Sequence, residues 1–192
     1  MKINLSLARL SDIAEVLQLH HKYQVDTISE DDRPDGFITT AFSKQHLHDL
    51  ITQETGLFIA RHQGRIVAYA MAGSWSYFSQ WPMFKHMIKG LPKLQYAGTI
   101  LSTQNCYQYG PVCVDKSMRG SGVFEKIFHF SLQKMSQRFP IMVTFINKIN
   151  PRSFEAHVRK VGLDVIQEFE FNNNQYYELA CCTQPALKAI NE

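Results

Sequence analysis

The stretch Val112-Cys113-Val114-Asp115-Lys116-Ser117-Met118-Arg119-Gly120-Ser121-Gly122-Val123-Phe124 decides how this chain is read. An alternating apolar strand ends at Val114, Asp115 to Met118 turn the chain, and Arg119-Gly120-Ser121-Gly122 opens an amphipathic helix. Backbone N–H groups at a helix start lack intrahelical acceptors, and the helix dipole is positive there. Glycines let a phosphate approach the main chain closely. Strand, turn and Gly-rich helix start therefore predict a cradle for a diphosphate-bearing cofactor. A Gly-x-Gly start also serves plain packing, so the surrounding elements have to decide between the two.

Downstream, the helix is predicted from Gly122 to about Phe139, with Phe124, Phe128, Leu132 and Met135 along its inner side. Ile141 to Ile146 is mostly apolar, as in a central buried strand. Asn150-Pro151 starts another helix and Gly162 ends it. Val165 to Phe171 and Gln175 to Ala180 flank Asn172-Asn173-Asn174 as a hairpin. Upstream, Tyr107 to Val114 forms the strand, and Gly110-Pro111 inside it predicts a bulge.

At the N-terminal end, Ile3, Leu5 and Leu7 alternate as a strand. Ser11 or Asp12 caps a helix there, with Glu15 placed for a capping box and Ile13, Val16, Leu17 and His20 facing inward. Residues 25–41 are polar and include Asp31 to Gly36, so they read as a loop. Ser43 caps a second helix with Leu47, Leu50 and Ile51 inward. Gln63-Gly64 is a two-residue hairpin turn between Leu57–His62 and Arg65–Ala72. Ser74 to Thr103 is aromatic, with Trp75, Tyr77, Phe78, Trp81, Phe84 and Tyr96 and no clean period. The order is β, α, α, β, β, insert, β, α, β, α, β, β. That is mixed α/β of the α+β type: a mostly antiparallel sheet of about seven strands, a parallel pair around the cradle helix, and helices on both faces.

The length of 192 residues fits one domain, 1–192, carrying an insert at about 74–103. Net charge is +3, and no Lys/Arg block exceeds two in a row, which argues against nucleic acid as a partner. Cys106, Cys113, Cys181 and Cys182 include no C-x-x-C pair, and reduced thiols in the cytoplasm are the expectation. The eight histidines form no ligand pattern, so no metal is assigned. No segment approaches the roughly 18 apolar residues of a membrane span, so no membrane association is expected.

The element order, with Arg119-Gly120-Ser121-Gly122-Val123-Phe124 after its fourth strand, resembles the GNAT superfamily of N-acetyltransferases over nearly the whole chain. The opening Ala8-Arg9-Leu10-Ser11-Asp12-Ile13-Ala14-Glu15 is similar too. Five of six motif positions match; Phe124 stands where the family usually has a small residue. The resemblance implies acetyl-CoA, or another coenzyme A thioester, as the cofactor. It implies that the amides of Gly120, Ser121, Gly122, Val123 and Phe124, with Arg119, hold the diphosphate. The main chain of Val112, Cys113 and Val114 would pair with the pantetheine arm, and the Val114 amide would face the oxyanion.

A second resemblance lies in Asn150, Ser153 and His157 ahead of Gly162-Leu163, and it implies that Asn150 and Ser153 contribute to cofactor binding. Gly162 falls one residue later than the family pattern. Either the helix carries an extra residue, or the acid position moves to Val158. His157 is then a general acid for the departing thiolate or a structural histidine. Tyr109 and Tyr107 point into an acceptor cleft or simply pack the sheet. No glutamate occupies this strand, so a carboxylate base is missing from the place where it would be obvious. The insert is a lid over the acceptor, an oligomer interface as in a homodimer, or extra core. The implied activity is direct transfer of an acetyl group to an amine of a small molecule or peptide. A non-catalytic module that binds an acyl-CoA is the alternative.

Overall fold

Tight two-residue turns and one parallel crossover lay out the sheet in the computed structural model, which describes residues 2–30 and 36–184. In chain order the first elements are β1 (Asn4–Leu7), α1 (Ile13–Tyr23), α2 (Lys44–Asp49), β2 (Leu57–His62) and β3 (Arg65–Gly73). The insert region holds α3 (Trp75–Phe78), α4 (Pro82–Gly90), β4 (Gln95–Tyr96) and β5 (Thr99–Ile100). Then come β6 (Cys106–Val114), α5 (Val123–Met135), β7 (Ile141–Asn147), α6 (Pro151–Glu155), β8 (Asp164–Phe171) and β9 (Asn174–Cys182). The large sheet has seven strands in the order β1-β2-β3-β6-β7-β9-β8. β6 and β7 run parallel, while the β1–β2, β2–β3, β7–β9 and β8–β9 ladders are antiparallel. The fold is mixed α/β, as the element order predicts.

Both large hairpins turn through left-handed residues, the conformation a two-residue turn needs to match strand twist. Gln63 (φ 50°) and Gly64 (φ 83°) join β2 to β3. Asn172 (φ 48°) and Asn173 (φ 59°) join β8 to β9, so Asn174 belongs to the strand.

The chain forms two compact units. One comprises the described residues up to Ala72 together with Gly110–Ser131; the other comprises Gly73–Tyr109 and the described residues from Leu132 onward. In the first unit, α1 buries Ile13, Val16, Leu19, His20 and Tyr23, which recur at helical spacing. Leu19 takes the inward position expected of Leu17, which is only half-buried. Glu15 does not reach back to cap the helix. Its carboxylate accepts from the Ile66 amide (2.6 Å) and the Arg61 guanidinium (2.8 Å). Asp12 instead accepts from the Arg9 amide (2.8 Å) and pairs with Arg61 (2.7 Å). The β2–β3 hairpin thus supplies stronger, charge-assisted partners than the helix end could.

The buried stripe of α5 is also one step round from expectation. Val123, Ile127, Phe128 and Met135 are buried, whereas Phe124 is half-buried, its ring 6.4 Å from that of Phe128. Phe124 therefore leans along the helix and does not plug the core.

In the second unit the aromatic insert is core. Trp75, Tyr77, Phe78 and Phe84 are all buried. Phe84 packs against Phe78 (4.7 Å between centroids) and Phe145 (5.7 Å), and His86 stacks on Phe169 (5.6 Å). Each such ring contributes about 1.5–3 kcal/mol by leaving water, which explains why an unperiodic aromatic run folds into two short helices.

Close backbone contact within the first unit gives a direct test. A Cβ on Gly56 would lie 1.7 Å from the Ala72 carbonyl oxygen, while the Ala72 amide donates to the Gly56 carbonyl at 2.8 Å. Gly56→Ala must push two backbones apart, and we expect a loss of about 2–3 kcal/mol, read as a lower urea midpoint with unchanged slope.

Candidate functional site

The cradle is held by α1. Lys22 pairs with Asp115 (2.8 Å), and the Tyr23 hydroxyl accepts from the Lys116 amide (2.7 Å). The Arg119 guanidinium lies over the Tyr23 ring at 5.1 Å, and its Nε donates to the Val114 carbonyl at 3.3 Å. Asp115 also accepts from the Ser117 amide (3.0 Å) and hydroxyl (2.7 Å). Burial works against its charge, but the Lys22 and Ser117 bonds outweigh that and bring its carboxyl down to about 2.

Gly120 and Gly122 both have φ +79°, and a Cβ on either would meet nothing within 4 Å. Glycine is thus needed for backbone direction, which leaves the main chain open on that side. The amides of Gly120, Gly122 and Val123 donate to no other described residue, whereas the Ser121 amide turns back to Met118 (3.3 Å). These three N–H groups stand at the positive end of the 13-residue α5. Unpaired donors, an open main-chain surface and the helix dipole together fit a diphosphate.

The preceding strand presents its edge to match. The Asp115 amide donates to the Val67 carbonyl on β3 at 2.8 Å. Because peptide edges alternate along a strand, those of Val112 and Val114 point away from β3. Cys113 between them is buried, and burial pushes its thiol well above the ordinary range, so it is no nucleophile at neutral pH. Gly110 (φ 107°) and Pro111, which has no N–H, lie inside β6 where a bulge is predicted, and the strand runs on through them to Val114.

In the second unit the structure brings Tyr109, Asn150, Ser153 and His157 together. The Asn150 side chain caps α6 by accepting from the Ser153 amide (3.2 Å). The next turn, Ala156–Lys160, is a π-helix, which houses one more residue than an α turn. This accounts for the late Gly162 (φ 71°). His157 is the buried residue there, and Val158 is only half-buried. His157 Nδ1 donates to the Ser153 carbonyl at 2.7 Å, and its ring meets Tyr109 edge-on at 6.2 Å. Burial, opposed by that one bond, lowers its pKa to about 4. The imidazole is therefore neutral at pH 7, with its lone pair on Nε2.

One buried carboxylate escaped sequence reasoning. Glu178 on β9 is 1% exposed, and its Oε2 accepts from Gln167 Nε2 at 2.6 Å. Burial, opposed by that bond, raises its pKa to about 7. The only hint in sequence is a single acid within Tyr176-Tyr177-Glu178-Leu179-Ala180. Asp31 to Asp35, within the polar loop expected over residues 25–41, lie outside the described residues. Among the described residues all four cysteines are unbridged, no group of three side chains could hold a metal ion, and no helix is long and apolar enough to cross a membrane.

No family model matches the sequence, and no curated protein matches it either. Solved structures do. A GNAT-superfamily phosphinothricin acetyltransferase from Sinorhizobium meliloti, in complex with acetyl-CoA, is 13% identical (TM-score 0.63; 95% of this chain, 89% of that one). The ribosomal-protein-S18-alanine N-acetyltransferase from Escherichia coli is 7% identical (0.62; 95% of each chain). An N-acetyltransferase from Staphylococcus aureus Mu50 is 14% identical (0.59; 96% of this chain, 100% of that one). The chain has the GNAT fold.

His157 carries a pH signature. It ionises near pH 4 when folded, against about 6.5 when unfolded. The unfolded state binds more protons between those values, so stability falls as pH drops from about 6.5 to about 4. His20, also lowered to about 4, acts in the same window. In H157Q the fall is expected to be shallower by roughly 3 kcal/mol, measured by urea unfolding at pH 7 and pH 4.

Proposed function

We propose that the protein is an acetyl-CoA-dependent N-acetyltransferase acting on an amine of a small molecule or peptide. The observation that carries this reading is the cradle: three amides, at the left-handed Gly120 and Gly122 and at Val123, that donate to no described residue and stand at the positive end of α5. The GNAT fold of the chain supports it.

The residues divide as follows. Gly120, Gly122 and Val123, with Ser121 and Phe124 beside them, would hold the diphosphate. Arg119 is committed to Val114 and Tyr23, so it shapes the turn. The outward edges of Val112 and Val114 would receive the pantetheine arm, and the Val114 amide is a fixed donor for developing negative charge. Acetyl-CoA, when bound, supplies a thioester whose acetyl group an amine can take. Tyr109, which carries a phenolic hydroxyl, is assigned proton donation. His157 is assigned to position it as a neutral imidazole, and Asn150 and Ser153 fix the turn that carries His157.

Two measurements test this. A ligand that binds only the folded state adds about 2.7 kcal/mol at a hundredfold excess over Kd. Acetyl-CoA is therefore expected to raise the melting temperature of the wild type and not that of Gly122→Trp; no shift in the wild type would sink the cofactor assignment. In CoA-release assays over an amine panel, Y109F is expected to lower kcat about a hundredfold with KM little changed. A thermal shift without any CoA release would mark a non-catalytic acyl-CoA-binding module.

A further inference from the structure

Among the described residues of the second unit, a buried amide oxygen and a buried carboxylate oxygen lack a donor. Gln108 and Glu178 are each 1% exposed. Gln108 spends its Nε2 on the Tyr109 carbonyl (2.6 Å), and Glu178 uses Oε2 for Gln167. The Oε1 atoms of both have no hydrogen-bond partner among the described residues. Leaving such atoms unsatisfied is costly, and most buried polar groups in folded proteins are paired.

Strand register puts both on one face. Gln108 pairs with Val143, Val143 with Ala180, and Phe145 with Glu178, while Gln167 sits opposite Glu178 on β8. Paired residues and residues two apart share a face. That face is covered by the insert: Trp75 Nε1 donates to Cys106 Sγ at 3.3 Å, and Phe84 packs on Phe145. The charge of Glu178 is felt at Cys106, whose thiol burial pushes up to about 11 against bonds from Trp75 and Ser102.

We propose that Glu178 and Gln108 form the subsite that holds the acceptor's primary ammonium group beneath the aromatic insert. This rests on the acyltransferase reading above. An ammonium carries three donors and a positive charge, and so satisfies a carboxylate and an amide oxygen together. Aromatic side chains overhead suit a cation and an apolar body attached to it. Glu178 is then also the group that neutralises the amine. The N–H bond breaks, its electron pair stays on nitrogen, and the proton bonds to Oε1, turning carboxylate into carboxylic acid. Burial supports this role, because a carboxyl raised to about 7 accepts a proton readily near neutrality.

The test is calorimetric titration of 2-phenylethylamine into the wild type, E178Q and Q108L, with 2-phenylethanol as the uncharged control. Saturable binding of the amine alone, weakened about tenfold or more in each variant, is the expected result. No saturable binding to the wild type, equal binding of the alcohol, or unchanged affinity in both variants would overturn the subsite; a buried water would then be the partner of the two oxygens. In turnover, E178Q that kept the wild-type kcat would overturn the proton-accepting role. Acetyl-CoA binding, followed separately by thermal shift, is expected to survive in both variants. Its absence in the wild type would fault the acyltransferase reading and leave the amine titration interpretable.

Discussion

The grip of α1 on the turn after β6 is the constraint on which the candidate cofactor site depends. A Gly-Ser-Gly helix start has maximal backbone freedom when unfolded, and three amides that donate to no described residue do nothing to hold it in place. Its shape must be imposed from outside. Lys22 and Tyr23, adjacent at the end of α1, do so through the side chain of Asp115, the amide of Lys116 and the guanidinium of Arg119. None of these contacts uses the amides of Gly120, Gly122 or Val123. The turn is thus rigid where it is gripped and open where it is bare, which is the preorganisation an anion site needs.

Charge is sorted by depth around this arrangement. The partly exposed Asp115 keeps its charge because a lysine and a serine compensate it. The fully buried groups go the other way. His20, bonded to Tyr69 at 2.7 Å, and His157, bonded to a carbonyl, are held neutral by desolvation, as is the Cys113 thiol. A carboxylate among such groups stands out. Glu178 has one amide donor and sits near its titration point, so it is the buried group whose charge a ligand can most easily change.

Most of the fold was legible because it rests on local signals. Left-handed turns at Gln63-Gly64 and Asn172-Asn173, the Ser43 and Asn150 caps, and Pro151 at a helix start are each written in adjacent residues. What sequence misplaced was set by partners distant along the chain. Glu15 fits a capping box by spacing, yet an arginine and an amide of the β2–β3 hairpin outcompete the helix end. Phe124 fits the apolar period of α5, but the packed stripe runs through Val123 and Ile127. The extra residue before Gly162 was visible as a mismatch in spacing; only the backbone shows that a π turn absorbs it and leaves His157 inside.

The candidate site divides along the same line. The cradle was legible because its requirement is local: glycine at positions of positive φ, next to a helix start. The amine subsite was not, because strand pairing and not spacing creates it. Gln108 and Glu178 are 70 residues apart in sequence, and each reads as an ordinary polar residue in an apolar strand. Only the β6–β7–β9 register places them on one face, over which the insert packs. An aromatic run without period offers the same lesson. Its residues carry no pattern because they do not face a single element; they roof a sheet, and the polar atoms left beneath that roof acquire their meaning from it.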